Sequence, residues 1–87
     1  MKLIELRNIV RKDIPIYYRR LFTGTAVFTI LNAPKEIPVQ FTIETSPAGQ
    51  KEIAVNLLGE TDYPLLPLIK TLKDHVGALD REGGLPD

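Results

Sequence analysis

The sequence predicts an α+β domain in which an antiparallel β-meander of about five strands carries one C-terminal helix across one face. Two observations lead to this fold class. Apolar and polar residues alternate in two runs between residues 37 and 58, which is typical of strands with one dry face and one wet face. After Leu58 the apolar residues recur every three or four positions instead, which is typical of an amphipathic helix.

A β-hairpin is predicted for residues 37–58. The apolar positions of its two strands are Ile37, Val39, Phe41 and Ile43, then Ile53, Val55 and Leu57. Pro47 and Gly49 lie between the two runs. Proline presets the φ angle that a turn needs and glycine can adopt positive φ, so these two residues predict the turn of the hairpin.

Three further strands are predicted upstream of the hairpin. They cover residues 3–10, 14–22 and 25–31, which are rich in β-forming residues. A charged turn at residues 11–13 separates the first two, and a polar turn at 32–36 leads into the hairpin. Thr23 and Gly24 form either a tight turn between two strands or a bulge within one long strand, so the number of strands depends on them.

The C-terminal helix is predicted to begin after Asp62, a candidate N-cap, with Pro64 in its first turn. Its apolar stripe consists of Leu65, Ile69, Leu72, Val76 and Leu79. Pro67 lies beyond the tolerant first turn of a helix capped by Asp62, so an alternative start near Pro67 stays open. Gly83 and Gly84 end the helix.

Length and composition predict one soluble, cytoplasmic domain. We expect it to cover residues 1–82 of the 87, followed by a flexible tail at 83–87. The absence of cysteine excludes disulfides and thiolate metal sites, and it suits a reducing compartment. No apolar run approaches the ~18 residues that a membrane-spanning helix needs.

The net charge of zero is unevenly distributed along the chain. Residues 1–20 hold six bases and two acids, whereas residues 21–87 hold five bases and nine acids. Such asymmetry either attracts an anionic partner or is neutralised inside the fold, where the basic and acidic parts become neighbours.

No set of residues predicts catalysis or the binding of a cofactor or metal. His75 is the only histidine, and a metal site needs several convergent ligands. The acid pairs Glu60/Asp62 and Asp80/Glu82 lie at the two ends of the predicted helix, where capping and solvation explain them better than acid–base catalysis. We therefore expect a non-enzymatic protein without a cofactor.

A partner surface is predicted on the second face of the N-terminal strands, which carries both apolar and basic residues. Its apolar anchors are Leu3, Tyr17, Leu21, Val27 and Leu31, and its polar rim consists of Arg7 and Arg19. An open apolar patch on a small sheet usually marks an interface. The first functional hypothesis is therefore self-association or docking to another protein.

The second hypothesis is nucleic-acid binding by basic and aromatic residues. The residues concerned are Arg7, Arg11, Lys12, Tyr17 and Arg19. Such residues on a sheet bind single strands through phosphate contacts and base stacking. Alternation would send Tyr18 and Arg20 to the other face, however, and the pI of about 6.6 is low for a nucleic-acid-binding domain. The competing prediction is that Tyr18 fills the core while Arg20 reaches its rim or pairs with the acidic C-terminal part.

Overall fold

The computed structural model describes residues 1–87. Its elements are the strands β1 (Lys2–Lys12), β2 (Arg19–Ile30), β3 (Ala33–Thr45) and β4 (Lys51–Leu57), followed by the helix α1 (Leu65–Glu82). The strands form one antiparallel sheet in the order β1-β2-β3-β4, and α1 packs on one face of it. The predicted α+β meander with a C-terminal helix is confirmed, with four strands instead of about five.

The strand count differs because β2 is continuous. Its residues pair with those of β3 from one end to the other without interruption, so Thr23 and Gly24 form neither a turn nor a bulge in β2. Residues 13–18, part of which the sequence predicts as a strand, form a loop. Pro15 lies in this loop and lacks the N–H group that a ladder hydrogen bond requires, which explains why no strand forms there.

The edge strand β1 contains two irregularities. One extra residue, Ile4, lies between Leu3 and Glu5, whose partners in β2 are consecutive. Further along, Asn8 and the residue after it lie opposite Gly24, and Asn8 has a φ angle of 54°. Bulges bend an edge strand and discourage another chain from pairing with it. They also reverse the alternation of β1, so its two faces cannot be assigned from a period of two.

Gly24 is needed where the second bulge approaches β2, because a Cβ atom there would lie 3.2 Å from the carbonyl oxygen of Arg7. We expect Gly24→Ala to lower the free energy of unfolding, measured by urea denaturation, by about 1 kcal/mol. Gly77→Ala is the matched control. Its Cβ would meet only side-chain atoms, at 3.4 Å or more, so it should stabilise α1 by about 0.5–1 kcal/mol. A Gly24→Ala protein as stable as the wild type would contradict this role.

The hairpin of β2 and β3 extends beyond the end of β4. β4 ends opposite Val39, whereas β2 and β3 continue to a two-residue turn formed by Leu31 and Asn32. These residues have φ angles of 52° and 64°, as a type I′ turn requires. The polar turn predicted at 32–36 is therefore confined to its first residue, and the others belong to β3.

Two prolines limit pairing along the part of β3 that β4 leaves uncovered. The N–H of Leu58 donates to the carbonyl of Pro38 at 2.8 Å, so the backbone polar group of Pro38 points to the β4 side. Pro34, four residues earlier, points the same way, and neither proline has an N–H to donate. Only Glu36 could donate to an added strand, so another molecule would contact this edge mainly through side chains.

The helix begins later than predicted. α1 starts at Leu65, Pro64 occupies the N-cap position, and no side chain caps the helix, so the prediction for Asp62 is wrong. The Thr61 hydroxyl accepts the N–H of the residue after Asp62, at 3.2 Å. Pro67 lies in the first turn, whose N–H groups have no partner within a helix, and it therefore removes no hydrogen bond.

The helix ends as predicted, at Gly83. This residue has a φ angle of 73°, and the N–H of Gly84 donates to the carbonyl of Leu79 at 2.8 Å. Leu85 then packs against the core, while the two residues after it are exposed. One side chain thus holds the predicted tail against the domain.

The core lies between α1 and one sheet face. Its fully buried large side chains are Phe22, Phe28, Val39, Phe41, Ile43, Leu68, Leu72 and Val76. Leu65, predicted to belong to the helix stripe, is half-exposed, and Leu68 takes its place because the first turn of α1 lies where β4 has already ended. α1 lies closest to β4: a Cβ atom at Gly77 would be 3.5 Å from Ile53 Cδ1.

Candidate functional site

The predicted partner surface corresponds to the sheet face opposite α1, called the outer face below. Arg7 of β1 and Arg19, Leu21 and Val27 of β2 lie on this face. Val27 is only 9% exposed, and Leu21 is half-buried. Polar residues occupy most of the positions around them, namely Thr23, Thr25, Thr29, Gln40 and Thr42. The outer face therefore offers less open apolar surface than the sequence predicts.

Ion pairs within the chain engage both arginines of the outer face. Arg7 contacts Glu36 of β3, and it also contacts Glu5 at 3.3 Å. Arg19 donates two hydrogen bonds to Oε2 of Glu44, at 3.2 and 3.0 Å. Each pair is open to solvent and contributes little to stability. The predicted polar rim is thus largely neutralised by the fold itself.

Three residues of the predicted surface lie elsewhere. Leu3 packs against the core, because the extra residue at Ile4 reverses the alternation of β1. Tyr17 lies in the loop at 13–18, and Leu31 lies in the turn between β2 and β3. The two ends of β2 are roughly 36 Å apart at ~3.3 Å per residue. The seven predicted residues therefore do not form one surface, and the most exposed of them lie at opposite ends of the molecule.

Exposed leucines collect at the end where β2 and β4 finish and α1 begins. This apolar end, as it is called below, consists of Leu31, Leu58, Leu65 and Leu66. Leu31 is 93% exposed and Leu66 is 80% exposed. Met1 and Ile4 are also exposed at this end, because the first residues of β1 lie beside the last residues of β2. Six of the nine large exposed hydrophobic residues are thus concentrated here.

A groove of about 450 Å³ lies at the apolar end, between the β2–β3 hairpin and the segment that joins β4 to α1. Ile30, Leu31, Ile37 and Tyr63 contribute to its apolar lining, and Lys35, Glu60 and Asp62 to its charged lining. None of these three charged residues is in an ion pair within the chain. The groove therefore combines apolar surface with charges that another molecule could neutralise.

At the opposite end of the molecule, one carboxylate joins two cations. Asp80 has a side chain only 8% exposed, and it accepts hydrogen bonds from Arg20 Nη2 at 2.9 Å and from Lys51 Nζ at 2.6 Å. Burial raises the pKa of Asp80, but the two hydrogen bonds and two positive charges together outweigh burial and hold the pKa below its ordinary value. The predicted pairing of Arg20 with the acidic C-terminal part is confirmed.

A cleft of about 740 Å³, called the tyrosine cleft below, lies beside Arg20. It is lined by Arg11, Tyr17, Tyr18, Arg20, Glu44, Thr45, Ser46 and Pro47. The rings of Tyr17 and Tyr18 meet edge to face, with centroids 5.6 Å apart and planes at 88°. Tyr17 is 98% exposed and Tyr18 is about half-exposed. The expectation that Tyr18 fills the core is wrong, because the loop at 13–18 holds both rings outside it.

Neither site follows directly from sequence periodicity. Alternation would separate Tyr17 from Tyr18, and Pro15 is the one local signal that they lie in a loop instead of a strand. Glu44 joins the cleft through the pairing of β3 with β2, which no local pattern specifies. Leu66 could have been suspected, because it lies outside the predicted helix stripe.

Two residues with chemically useful side chains have ordinary structural surroundings. His75 is half-buried on α1. The Ser46 hydroxyl accepts the N–H of Gln50 at 3.1 Å, within the turn between β3 and β4. No three His, Cys, Asp or Glu side chains are grouped as metal ligands would be. α1 is too polar to be a bilayer-crossing helix, and it is the protein's one helix.

Comparison with known proteins identifies the family. The model of the BB_0187 family matches residues 1–81, which extend from β1 to all but the last residue of α1. No curated protein and no solved structure matches the chain. The chain belongs to this family, and the match includes every residue of the apolar end and of the tyrosine cleft.

Proposed function

We propose that this family member is a non-enzymatic interaction module that binds a second copy of itself through the apolar end. One observation carries the proposal: Leu31, which is 93% exposed, occupies a left-handed position in a tight turn. The exposed leucines at 58, 65 and 66 lie at the same end and enlarge the surface. Apolar patches on small proteins are characteristic of interfaces.

Leu31 is unfavourable for the fold in two respects. An L-residue in the left-handed region costs roughly 1–2 kcal/mol, which glycine and asparagine largely avoid. Burial does not offset this cost, because the side chain lies almost wholly in water. A residue that is both strained and unpacked is better explained by contact with another molecule than by folding.

The charges around the apolar end favour a second copy as the partner. Lys2 and Lys35 lie near Glu60 and Asp62, and none of the four is in an ion pair within the chain. A surface with balanced charge of both signs can pair with itself about a two-fold axis, because each base can face an acid of the partner. The prolines of β3 direct this contact to side chains instead of strand pairing.

We expect the wild-type protein to form dimers at micromolar concentration in sedimentation and light-scattering experiments. A two-fold interface loses two leucines for each substitution, so Leu31→Asn and Leu66→Ser should each raise the dissociation constant roughly 100-fold or more. Val10→Ser is the control, because Val10 is half-exposed near the opposite end of β1. A protein that is monomeric at every concentration would contradict self-association and leave a different protein as the partner.

The same Leu31→Asn substitution should stabilise the monomer. Asparagine tolerates the φ angle of 52° that leucine resists, so the free energy of unfolding should rise by about 1 kcal/mol. Thermal denaturation at concentrations below the dissociation constant measures this change. A variant that both dissociates more easily and folds more stably separates an interface role from a structural one. A loss of monomer stability would show that Leu31 supports the fold.

A further inference from the structure

The rings of the tyrosine cleft are held in place by backbone hydrogen bonds, independently of the apolar end. The N–H of Thr45 donates to the carbonyl of Tyr18 at 2.9 Å, and the N–H of Arg19 donates to the carbonyl of Ile16 at 3.2 Å. The loop is thereby attached to the beginning of β2 and the end of β3. Tyr17, which is 98% exposed, thus presents a free ring face from a fixed backbone, and a planar group can stack on it.

The cleft also carries positive charge that the chain does not neutralise. Arg11 is in no ion pair within the chain. Arg20 shares the single negative charge of Asp80 with Lys51, so these three side chains together keep one net positive charge. Two unneutralised charges beside an exposed ring favour a ligand that combines a planar group with phosphate.

Glu44 discriminates among such ligands. Its Oε2 accepts both hydrogen bonds from Arg19, and its Oε1 has no partner within the chain. The amino groups of adenine, cytosine and guanine can donate to this oxygen, whereas the ring of a phosphotyrosine has no donor. The volume of about 740 Å³ lies within the range of small-ligand sites. We infer that the tyrosine cleft binds nucleotide units of single-stranded nucleic acid, with a base stacked on Tyr17 and phosphates on Arg11 and Arg20.

The inference is tested by fluorescence anisotropy with a labelled mixed-sequence DNA strand of about ten nucleotides, within the usual site size. Two phosphate contacts predict that log K falls with log salt at a slope of about −1.4. Tyr17→Ala should weaken binding roughly 5- to 150-fold, the usual effect of removing one stacking contact. Arg11→Gln should reduce the slope by about 0.7. No binding at low salt, or equal binding by Tyr17→Ala, would overturn the inference.

Arg7→Gln is the matched control for Arg11→Gln. Arg7 is an exposed arginine of the same strand, but it lies on the outer face and is paired with Glu36. It should leave affinity and salt slope unchanged. A mononucleotide that binds as tightly as the strand would assign the cleft to free nucleotides and overturn the strand proposal. So would a phosphotyrosyl peptide that binds more tightly. The Leu31→Asn variant should bind DNA like the wild type, so this test does not depend on self-association.

Discussion

Replacing Phe41 with alanine should lower the free energy of unfolding by about 3–5 kcal/mol. Phe41 lies on the central strand β3, is 1% exposed, and stacks on Phe22 with ring centroids 5.0 Å apart. The substitution removes a large buried side chain and leaves a cavity between the sheet and α1. Because domains of this size are stable by only about 5–15 kcal/mol, much of the fold's stability would be lost.

Urea denaturation of the Phe41→Ala protein measures this loss, and Tyr17→Ala is the control. Tyr17 is also aromatic but almost wholly exposed, so its replacement should change the free energy of unfolding by no more than about 0.5 kcal/mol. Similar effects of the two substitutions would show that the predicted inner face of β3 does not form the core.

The second largest effect is expected at Asp80. Asp80→Asn removes the charge that Arg20 and Lys51 share, and hydrogen bonds to charged groups contribute about 1.5–3 kcal/mol. Both cations are partly open to water, so the loss should stay below the cost of stranding a fully buried charge. Thermal or urea denaturation at neutral pH should show this loss, and a change below about 0.5 kcal/mol would contradict it.

The same carboxylate predicts how stability depends on pH. The folded protein holds the pKa of Asp80 below its unfolded value, so the unfolded state binds more protons as the pH falls through this region. The stabilising contribution is complete above the ordinary pKa of 3.8 and is lost as the pH falls through the folded pKa. The difference in stability between wild type and Asp80→Asn should therefore be large at pH 7 and shrink in strong acid. A difference that does not depend on pH would contradict this origin.

The parts of the fold that follow from local patterns could be predicted from the sequence. The alternation in residues 39–45 and 51–57 survives in β3 and β4 because each strand has one face against α1 and the other in water. The helix and its end at Gly83 follow from the change of period and from the φ that glycine permits.

The remaining parts depend on pairing between distant residues. β2 is one strand because Gly24 accommodates a bulge in β1, and a glycine in a sequence does not reveal what lies opposite it. The two bulges of β1 shift its alternation, so a period of two places Leu3 on the wrong face. Each bulge is a property of two strands together, and a period read from one strand cannot contain it.

The candidate sites could be predicted only in part, for the same reason. Sequence patterns identify the exposed residues Tyr17 and Leu31 as apolar anchors, but these residues lie at opposite ends of a molecule 42 Å long. Their neighbours come from other elements, such as Leu66 of α1 and Glu44 of β3, which the chain brings together only on folding. The individual side chains are therefore recognisable in the sequence, whereas the surfaces are not.

Distance measurement between spin labels tests the proposed interface most directly, because the chain has no cysteine and one introduced cysteine labels one position. Lys70→Cys places a label on an exposed residue near the start of α1, and Ala48→Cys places one in the exposed turn at the other end. In a dimer joined at the apolar ends, the distance between labels on the two copies should be shorter than 42 Å for Lys70→Cys and longer than 42 Å for Ala48→Cys. The reverse order would place the interface at the tyrosine cleft and contradict the proposal.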